Sequence, residues 1–216
     1  MSRSTPPPPE DRPQSPRVRM DVEARRAQLM ASGVRLFTER PYDDVEIGTI
    51  AHEAGVSRGL LYRYFPDKAS FFAEVVADRL VYLAGRSTPD PALPLLETSR
   101  AAIDGYLDVV GERPQWYVSM YRGSASSAAP VRDVLARFDE ELVTGLLTLF
   151  GADDTELTRV LVRGWLAYLA AIGMAVVDGA EVDRPALREQ CLRVLASVAE
   201  SVAPPGGGRG QQPGAE

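Results

Sequence analysis

The chain has 216 residues, of which 45% are hydrophobic, so it can form one sizeable core or two small ones. A single cysteine excludes an intramolecular disulfide and a thiolate metal cluster, and a single histidine argues against His-based zinc sites and triads. The net charge of −6 argues by itself against a nucleic-acid binder. However, residues 1–85 carry equal numbers of basic and acidic side chains, so the whole deficit lies in residues 86–216. A neutral N-terminal part with local basic groups suits DNA binding, and an acidic C-terminal part stays off the duplex.

Residues 1–20 are rich in proline and serine and lack periodicity, which predicts a disordered tail bearing arginines. Arg12, Arg17 and Arg19 precede the first predicted helix, where a basic arm can touch a minor groove. A solubilising tail without fixed contacts is the other interpretation. No apolar signal sequence begins the chain, so we expect a cytoplasmic protein.

A first helix is predicted over about residues 22–40, and two short helices joined by a tight turn follow it. The apolar residues of the first short helix recur at i, i+3, i+4 and i+7, namely Ile47, Ile50, Ala51 and Ala54. Gly55 then suits a helix end with positive φ, and Ser57 is a good N-cap for the second short helix. Leu61 and Phe65 face inwards on that second helix, four residues apart. This pattern is typical of the DNA-binding helix-turn-helix, although many other helical hairpins also turn at a glycine.

The outward residues of the second short helix favour DNA binding. Arginine and tyrosine side chains reach phosphates or base edges, and leucine can contact a thymine methyl group. A glycine among them lets the backbone approach a groove. The residues predicted to read the DNA are Arg58, Gly59, Leu60, Tyr62 and Arg63.

The stretch from Ala51 to Lys68 reads Ala-x-Glu-Ala-Gly-Val-Ser-Arg-Gly-x-Leu-Tyr-x-Tyr-Phe-Pro-x-Lys. It resembles the motif of the tetracycline-repressor (TetR) family of transcriptional regulators, and the resemblance extends over roughly residues 22–83. It implies that Tyr64 and Lys68 hold phosphates, as the matching positions do in that family. It also implies a sequence-specific regulator, in most cases a repressor, that a small molecule releases from its operator.

Three residues depart from the family's pattern. Pro41 replaces the usual glycine, so the first helix must end differently, by about Arg40. Glu46 stands where a threonine usually caps the next helix, and Gly48 stands where a phosphate-binding basic residue is common. These departures predict weaker DNA contacts from the helix that begins near Ile47.

Everything beyond residue 66 reads as helix and connection. We expect a long helix from Asp67, its N-cap, to about Ala84, with a wide apolar face. Five further helices are predicted, with Gly123–Ser127 as a loop, Gly151 as a stop and Asp153 as a cap. Their predicted ranges are Leu95–Val110, a short helix from Pro114, Pro130–Phe150, Asp153–Asp178 and Arg184–Ala203, before a Gly/Pro/Gln-rich tail over 204–216.

Val160–Val177 contains one charged residue, Arg163, and is near the shortest length of a membrane span. Gly164 and Gly173 interrupt it, and small residues allow another helix to approach closely. We therefore predict a dimer-core helix rather than a membrane segment. The resemblance implies the same, because the family pairs its last two long helices in a four-helix homodimer interface.

Large residues recur on facing C-terminal helices, and two interpretations stay open: they fill a core, or they line a pocket for a lipophilic or aromatic effector. Arg122 and Arg163 are polar outliers that can meet a ligand's polar end. The candidate ligand-binding residues are Tyr106, Trp116, Met120, Tyr121, Phe138, Trp165 and Tyr168.

Enzymatic function is not expected, because no nucleophilic triad is plausible and the glycines of residues 206–210 follow no strand and open no helix. We expect no metal and no cofactor. The predicted architecture is all-α: a three-helix DNA-binding unit over 21–66 and a helical ligand-binding and dimerisation domain over 67–203. The expected partners are an operator in double-stranded DNA, a second copy of the chain and a small-molecule effector, with no membrane. The alternative is a carrier of hydrophobic ligands that has lost DNA binding, which only Glu46 and Gly48 favour.

Overall fold

The computed structural model describes residues 22–90, 92–112 and 114–203. The predicted tails over 1–20 and 204–216 lie outside these residues. Within them the fold is all-helical, as predicted, with nine α-helices and two short 3₁₀ helices. The helices are α1 Val22–Glu39, α2 Ile47–Glu53, α3 Arg58–Tyr64, α4 Lys68–Ser87, α5 Leu95–Glu112, α6 Pro114–Tyr121, α7 Ala129–Phe150, α8 Glu156–Val177 and α9 Arg184–Val202, and the 3₁₀ helices are Tyr42–Asp44 and Ser124–Ser127.

The two short helices and their turn form as the local pattern predicts. Gly55 has φ +61°, and the Val56 amide donates to the Ala51 carbonyl over 2.9 Å, which closes the end of α2. The hydroxyl of Ser57 accepts a hydrogen bond from the Leu60 amide and caps α3. Leu61 is fully buried, which anchors α3 against the rest of the head, α1 to α3.

Helix α4 connects this head to the other helices. Its N-cap is Asp67, whose carboxylate accepts from the Ser70 amide over 2.6 Å. The helix runs one turn further than the predicted end at Ala84 and finishes at Ser87. Its wide apolar face packs on α1 towards the head and on α5 and α7 beyond it. A continuous apolar cluster therefore crosses from the head into the C-terminal helices, and the domain division at residue 66 stays a prediction.

Two local predictions in the C-terminal part are wrong. The segment predicted as a loop contains the 3₁₀ helix Ser124–Ser127. Helix α8 is capped by Thr155 and not by Asp153, because Thr155 and Thr158 satisfy each other's backbone amides in a capping box. Gly151 ends α7 in the left-handed region, as predicted.

Helices α4 and α5 touch at an unusually close crossing. A Cβ atom built on Gly105 in α5 would lie 2.8 Å from the carbonyl carbon of Arg86 in α4, and closer still to its oxygen. Glycine at this position therefore allows backbone-to-backbone contact near the C-terminal end of α4.

Candidate DNA-binding surface and ligand cavity

Helix α3 presents the predicted reading residues on one continuous surface. Its buried side is occupied by Leu61 and by Phe65 just beyond its end. Arg58, Tyr62 and Arg63 are exposed, and Leu60 is half-buried beside them. A Cβ atom on Gly59 would meet nothing within 4 Å, so no packing requirement within the described residues explains this glycine. Its bare backbone instead leaves room for a close outside partner.

The guanidinium of Arg58 lies over Gly48 of α2. A Cβ atom built on Gly48 would come within 2.7 Å of both the Arg58 Nε and its Cζ. Any larger residue at position 48 would therefore push the Arg58 side chain aside. Position 48 lacks a basic side chain of its own, but the guanidinium of Arg58 from the next helix occupies the space beside it.

Lys68 lies at the junction of head and α4. Its Nζ is 4.1 Å from the centre of the Tyr42 ring and 3.5 Å from the carbonyl oxygen of Asp43. Burial lowers the pKa of the Lys68 ammonium, and the carboxylates of Asp43, Asp44 and Glu46 act in the opposite direction. Its position at the start of α4 is compatible with a phosphate contact, as is that of Tyr64, which is half-buried at the end of α3.

Glu46 precedes α2 without capping it. Its side chain makes no cap hydrogen bond, although its backbone is extended like that of an N-cap residue. Helix α2 therefore begins without a side-chain cap from Glu46. A carboxylate at this point also faces any approaching phosphate with the wrong charge.

A large cavity of about 880 Å³ lies within the C-terminal helices. That is within the usual range of small-molecule sites. It is enclosed mainly by α4, α5, α7 and α8, with α6 contributing three residues. Five of the seven predicted ligand-binding residues lie on its wall, namely Tyr106, Met120, Tyr121, Phe138 and Trp165.

The other two predicted residues do not line this cavity. Trp116 is 2% exposed and packs edge-on against Tyr117 in the core of α6. Tyr168 of α8 is half-buried, and its hydroxyl lies beside the thiol of Cys191 in α9. For these two side chains the core interpretation accounts for the placement.

Two tyrosines of the cavity wall, from α5 and α6, bind to the backbone of α8. The hydroxyls of Tyr106 and Tyr117 lie 2.6 Å apart, and that of Tyr106 donates to the Leu169 carbonyl over 3.0 Å. Gly173 makes room for them, since a Cβ there would be 2.7 Å from the Tyr117 hydroxyl. Burial raises the pKa of both phenols, so they stay neutral hydrogen-bonding groups.

The charged outliers are already paired. Arg163, which lies on the cavity wall, bonds with Asp139 over 3.0 Å and with Glu140 over 2.7 Å. Arg122 is not part of the wall. It forms a two-pronged pair with Asp178, at 2.8 Å for each bond, so the idea that Arg122 meets a ligand's polar end is wrong for this cavity.

The sequence pattern missed most of the wall. Aliphatic residues of five helices supply it, and so does Ser99 of α5, a buried hydroxyl that no motif singles out. Leucines at helical spacing predict a buried face, but they do not tell a filled core from a cavity. The aliphatic wall residues include Leu80, Leu83, Ile103, Leu135, Leu142, Leu146, Leu166 and Leu169.

Comparison with known proteins supports the same interpretation of the head. The model of the "Bacterial regulatory proteins, tetR family" matches residues 29–75. The HTH-type transcriptional regulator HbdR of Aromatoleum sp. (strain CIB) is 49% identical over 47 residues, which span 22% of this chain and only 20% of HbdR. The repressor KstR of Rhodococcus jostii (strain RHA1) is 25% identical over 152 residues, 68% of this chain and 72% of KstR.

The similarity to a solved structure extends beyond the head. A tetR-family transcriptional regulator from Streptomyces coelicolor superposes with a TM-score of 0.74 at 26% identity, covering 83% of this chain and 82% of that one. The helix-turn-helix motif, the family match over the head and this whole-chain likeness agree with one another. Residues 29–75 thus carry the DNA-binding head of the tetracycline-repressor family, and most of the chain shares the fold of a tetR-family transcriptional regulator.

Proposed function

We propose that the protein is a cytoplasmic, homodimeric repressor that leaves an inverted-repeat operator when a lipophilic or aromatic molecule enters the cavity. One observation carries this proposal: helices α4 and α6 both line the cavity and both contact the DNA-reading head. The name of KstR, a transcriptional repressor, is compatible with this role.

For DNA binding we assign base and groove contacts to the exposed side of α3. The residues are Arg58, Gly59, Leu60, Tyr62 and Arg63, with phosphate contacts from Tyr64 and Lys68. The support is geometric, since Leu61 and Phe65 occupy the buried side and leave these groups towards solvent or at the turn into α4.

We place the dimer interface on α8 and α9, and an apolar stripe on α8 that the single subunit leaves uncovered supports the part of α8. Leu157 and Val160 are 68% and 57% exposed. By length and composition alone α8 is apolar enough to cross a membrane, so an exposed face on this helix needs a cover. Small residues continue the stripe and permit close helix approach across a two-fold axis. The exposed small residues are Gly164, Ala167, Ala171 and Ala175.

We infer two routes by which the cavity influences the head. Helix α4 places Leu80 and Leu83 on the wall and carries Lys68 at its other end. Helix α6 places Met120 on the wall, while its neighbour Ser119 accepts a hydrogen bond from the Tyr42 amide over 3.1 Å. A ligand that moves either helix shifts the head. The difference in its binding free energy between the DNA-bound and the released arrangement equals the free energy by which it weakens DNA binding, typically about 1–3 kcal/mol.

The test is operator binding by the purified full-length chain, measured by gel shift on the DNA upstream of its own gene over a range of salt concentrations. A repressor of this kind binds with a steep salt dependence, and lipophilic hits from a thermal-stabilisation screen weaken that binding. Absence of any salt-dependent binding would favour the hydrophobic carrier instead. Ser119→Ala tests the second route, because it removes the acceptor for the Tyr42 amide and should reduce the ligand's effect without abolishing ligand binding.

A further inference from the structure

Two buried polar atoms on residues of the cavity wall have no hydrogen-bond partner among the described residues. They are the indole nitrogen of Trp165 in α8 and the hydroxyl oxygen of Ser99 in α5. Trp165 is 7% exposed and Ser99 is 2% exposed, so bulk solvent does not reach either side chain freely. A buried N–H or O–H without a partner is destabilising, and such groups are rare in folded proteins.

The other polar groups of the wall differ from this pair. The Tyr106 and Tyr117 hydroxyls are bonded to each other, and the Tyr106 hydroxyl also bonds with the α8 backbone. Trp165 and Ser99 therefore stand out as groups whose hydrogen-bonding capacity is unused. An indole N–H can only donate, so its missing partner is an acceptor.

The charges on the wall exclude a strong anion site. Arg163 is the one basic residue among the wall residues that the structure describes, and two carboxylates already hold it. Asp139 and Glu141 also belong to the wall. A free carboxylate or a phosphate in this cavity would meet negative charge and would have to compete for Arg163 with groups on its own protein.

We propose that the effector is a neutral lipophile that carries a carbonyl or similar acceptor oxygen, bound through the Trp165 indole N–H and the Ser99 hydroxyl. The regulatory role of this ligand rests on the proposed function, whereas its chemical class rests on the cavity wall alone. The wall supplies an apolar envelope for the body of the molecule, and the two unpaired groups fix its orientation. Both atoms are buried, so wall side chains must move apart for the oxygen to reach them, as interface side chains commonly do.

The test compares four matched probes of one medium chain length: a methyl ketone, the methyl ester, the alkane and the free fatty acid. Their affinities for the full-length protein are measured by displacement of the neutral dye Nile red, whose own affinity is determined for each variant. The ketone and the ester are expected to bind more tightly than both the alkane and the acid. A fatty acid that binds as tightly as its methyl ester would overturn the neutral-ligand assignment.

Variants test the two hydrogen-bonding groups. The double substitution Trp165→Phe with Ser99→Ala should cost the ketone about tenfold in affinity and leave the alkane unchanged, so that the preference for oxygen disappears. The single variants apportion the effect, and Trp116→Phe is the matched control because Trp116 is buried away from the cavity. If the double variant keeps the preference for the ketone, Trp165 and Ser99 do not bind the oxygen.

Operator affinity is measured with each probe in parallel. A ketone that binds through Trp165 and Ser99 but leaves operator affinity unchanged refutes the effector role alone, and the ligand class stands. Release from the operator by the fatty acid but not by the ketone refutes the ligand class and leaves the regulatory role intact.

Discussion

The crossing of α4 and α5 allows a test of whether close backbone contact between these helices stabilises the protein and positions the head. In Gly105→Ala the new Cβ would lie 2.8 Å from the Arg86 carbonyl carbon. Carbon atoms in contact normally lie about 3.5–4.0 Å apart, so the two helices must separate by at least about 0.7 Å. A backbone carbonyl cannot rotate aside as a side chain can, so the strain must move the helices.

The expected cost follows from two opposing effects. Overpacking costs about 1–3 kcal/mol, and a backbone partner places this site near the upper end. Replacing glycine by alanine within a helix returns about 0.5–1 kcal/mol. The net loss in the free energy of unfolding is therefore about 2 kcal/mol, which lowers the melting temperature by about 4–8 °C in a domain of this size.

The matched control is Gly85→Ala, one residue from the contact on α4. A Cβ there would meet nothing within 4 Å, so this variant keeps or gains stability. Both variants are unfolded thermally at one protein concentration, since the proposed dimerisation would make the transition concentration-dependent. Because α4 carries the head, Gly105→Ala should also lower operator affinity, whereas Gly85→Ala should not. Equal stability of the two variants would refute the close crossing.

Four further substitutions test the DNA-binding and dimer surfaces. Lys68→Ala should weaken DNA binding at every sequence and lower the salt slope by about one unit, whereas Arg58→Ala should relax sequence preference at a cost of about 1–3 kcal/mol. Fluorescence anisotropy over salt and operator variants separates the two effects, and unchanged binding in both variants would contradict the DNA contacts assigned to Arg58 and Lys68. Glu46→Thr should stabilise the protein by about 0.5–2 kcal/mol because it adds a helix cap, and it should tighten DNA binding because it removes a repelling carboxylate. Chemical denaturation measures the stability and the same anisotropy assay measures the binding. Weaker DNA binding would contradict the repulsion by Glu46. Ala171→Glu should give a monomer in sedimentation at micromolar concentration, because it places an unpaired charge in the proposed interface, and an intact dimer would move that interface elsewhere.

Local chemistry explains where the sequence predicted the fold well. Gly55 is in the left-handed conformation, and Ser57 and Asp67 cap the helices that follow them. Each of these features depends on residues within a few positions of one another. The cap of α8 shows the limit of such rules, because Asp153 and Thr155 are both good N-cap residues. The choice between them depends on Thr158, whose hydroxyl accepts a hydrogen bond from the Thr155 amide.

The distinction between a filled core and a cavity depends on longer-range contacts. Trp116 and Trp165 are both large apolar residues on helices, yet one fills the core of α6 and the other lines the cavity. What separates them is where the neighbouring helix lies. That position depends on contacts between residues far apart in the chain, among them the pairs of Arg188 with Asp104 between α9 and α5 and of Arg163 with Asp139 between α8 and α7. Hydrophobic periodicity predicts which side of each helix faces inwards, but it carries no information about these separations, and so it cannot distinguish an unpaired indole on a cavity wall from one that only fills space.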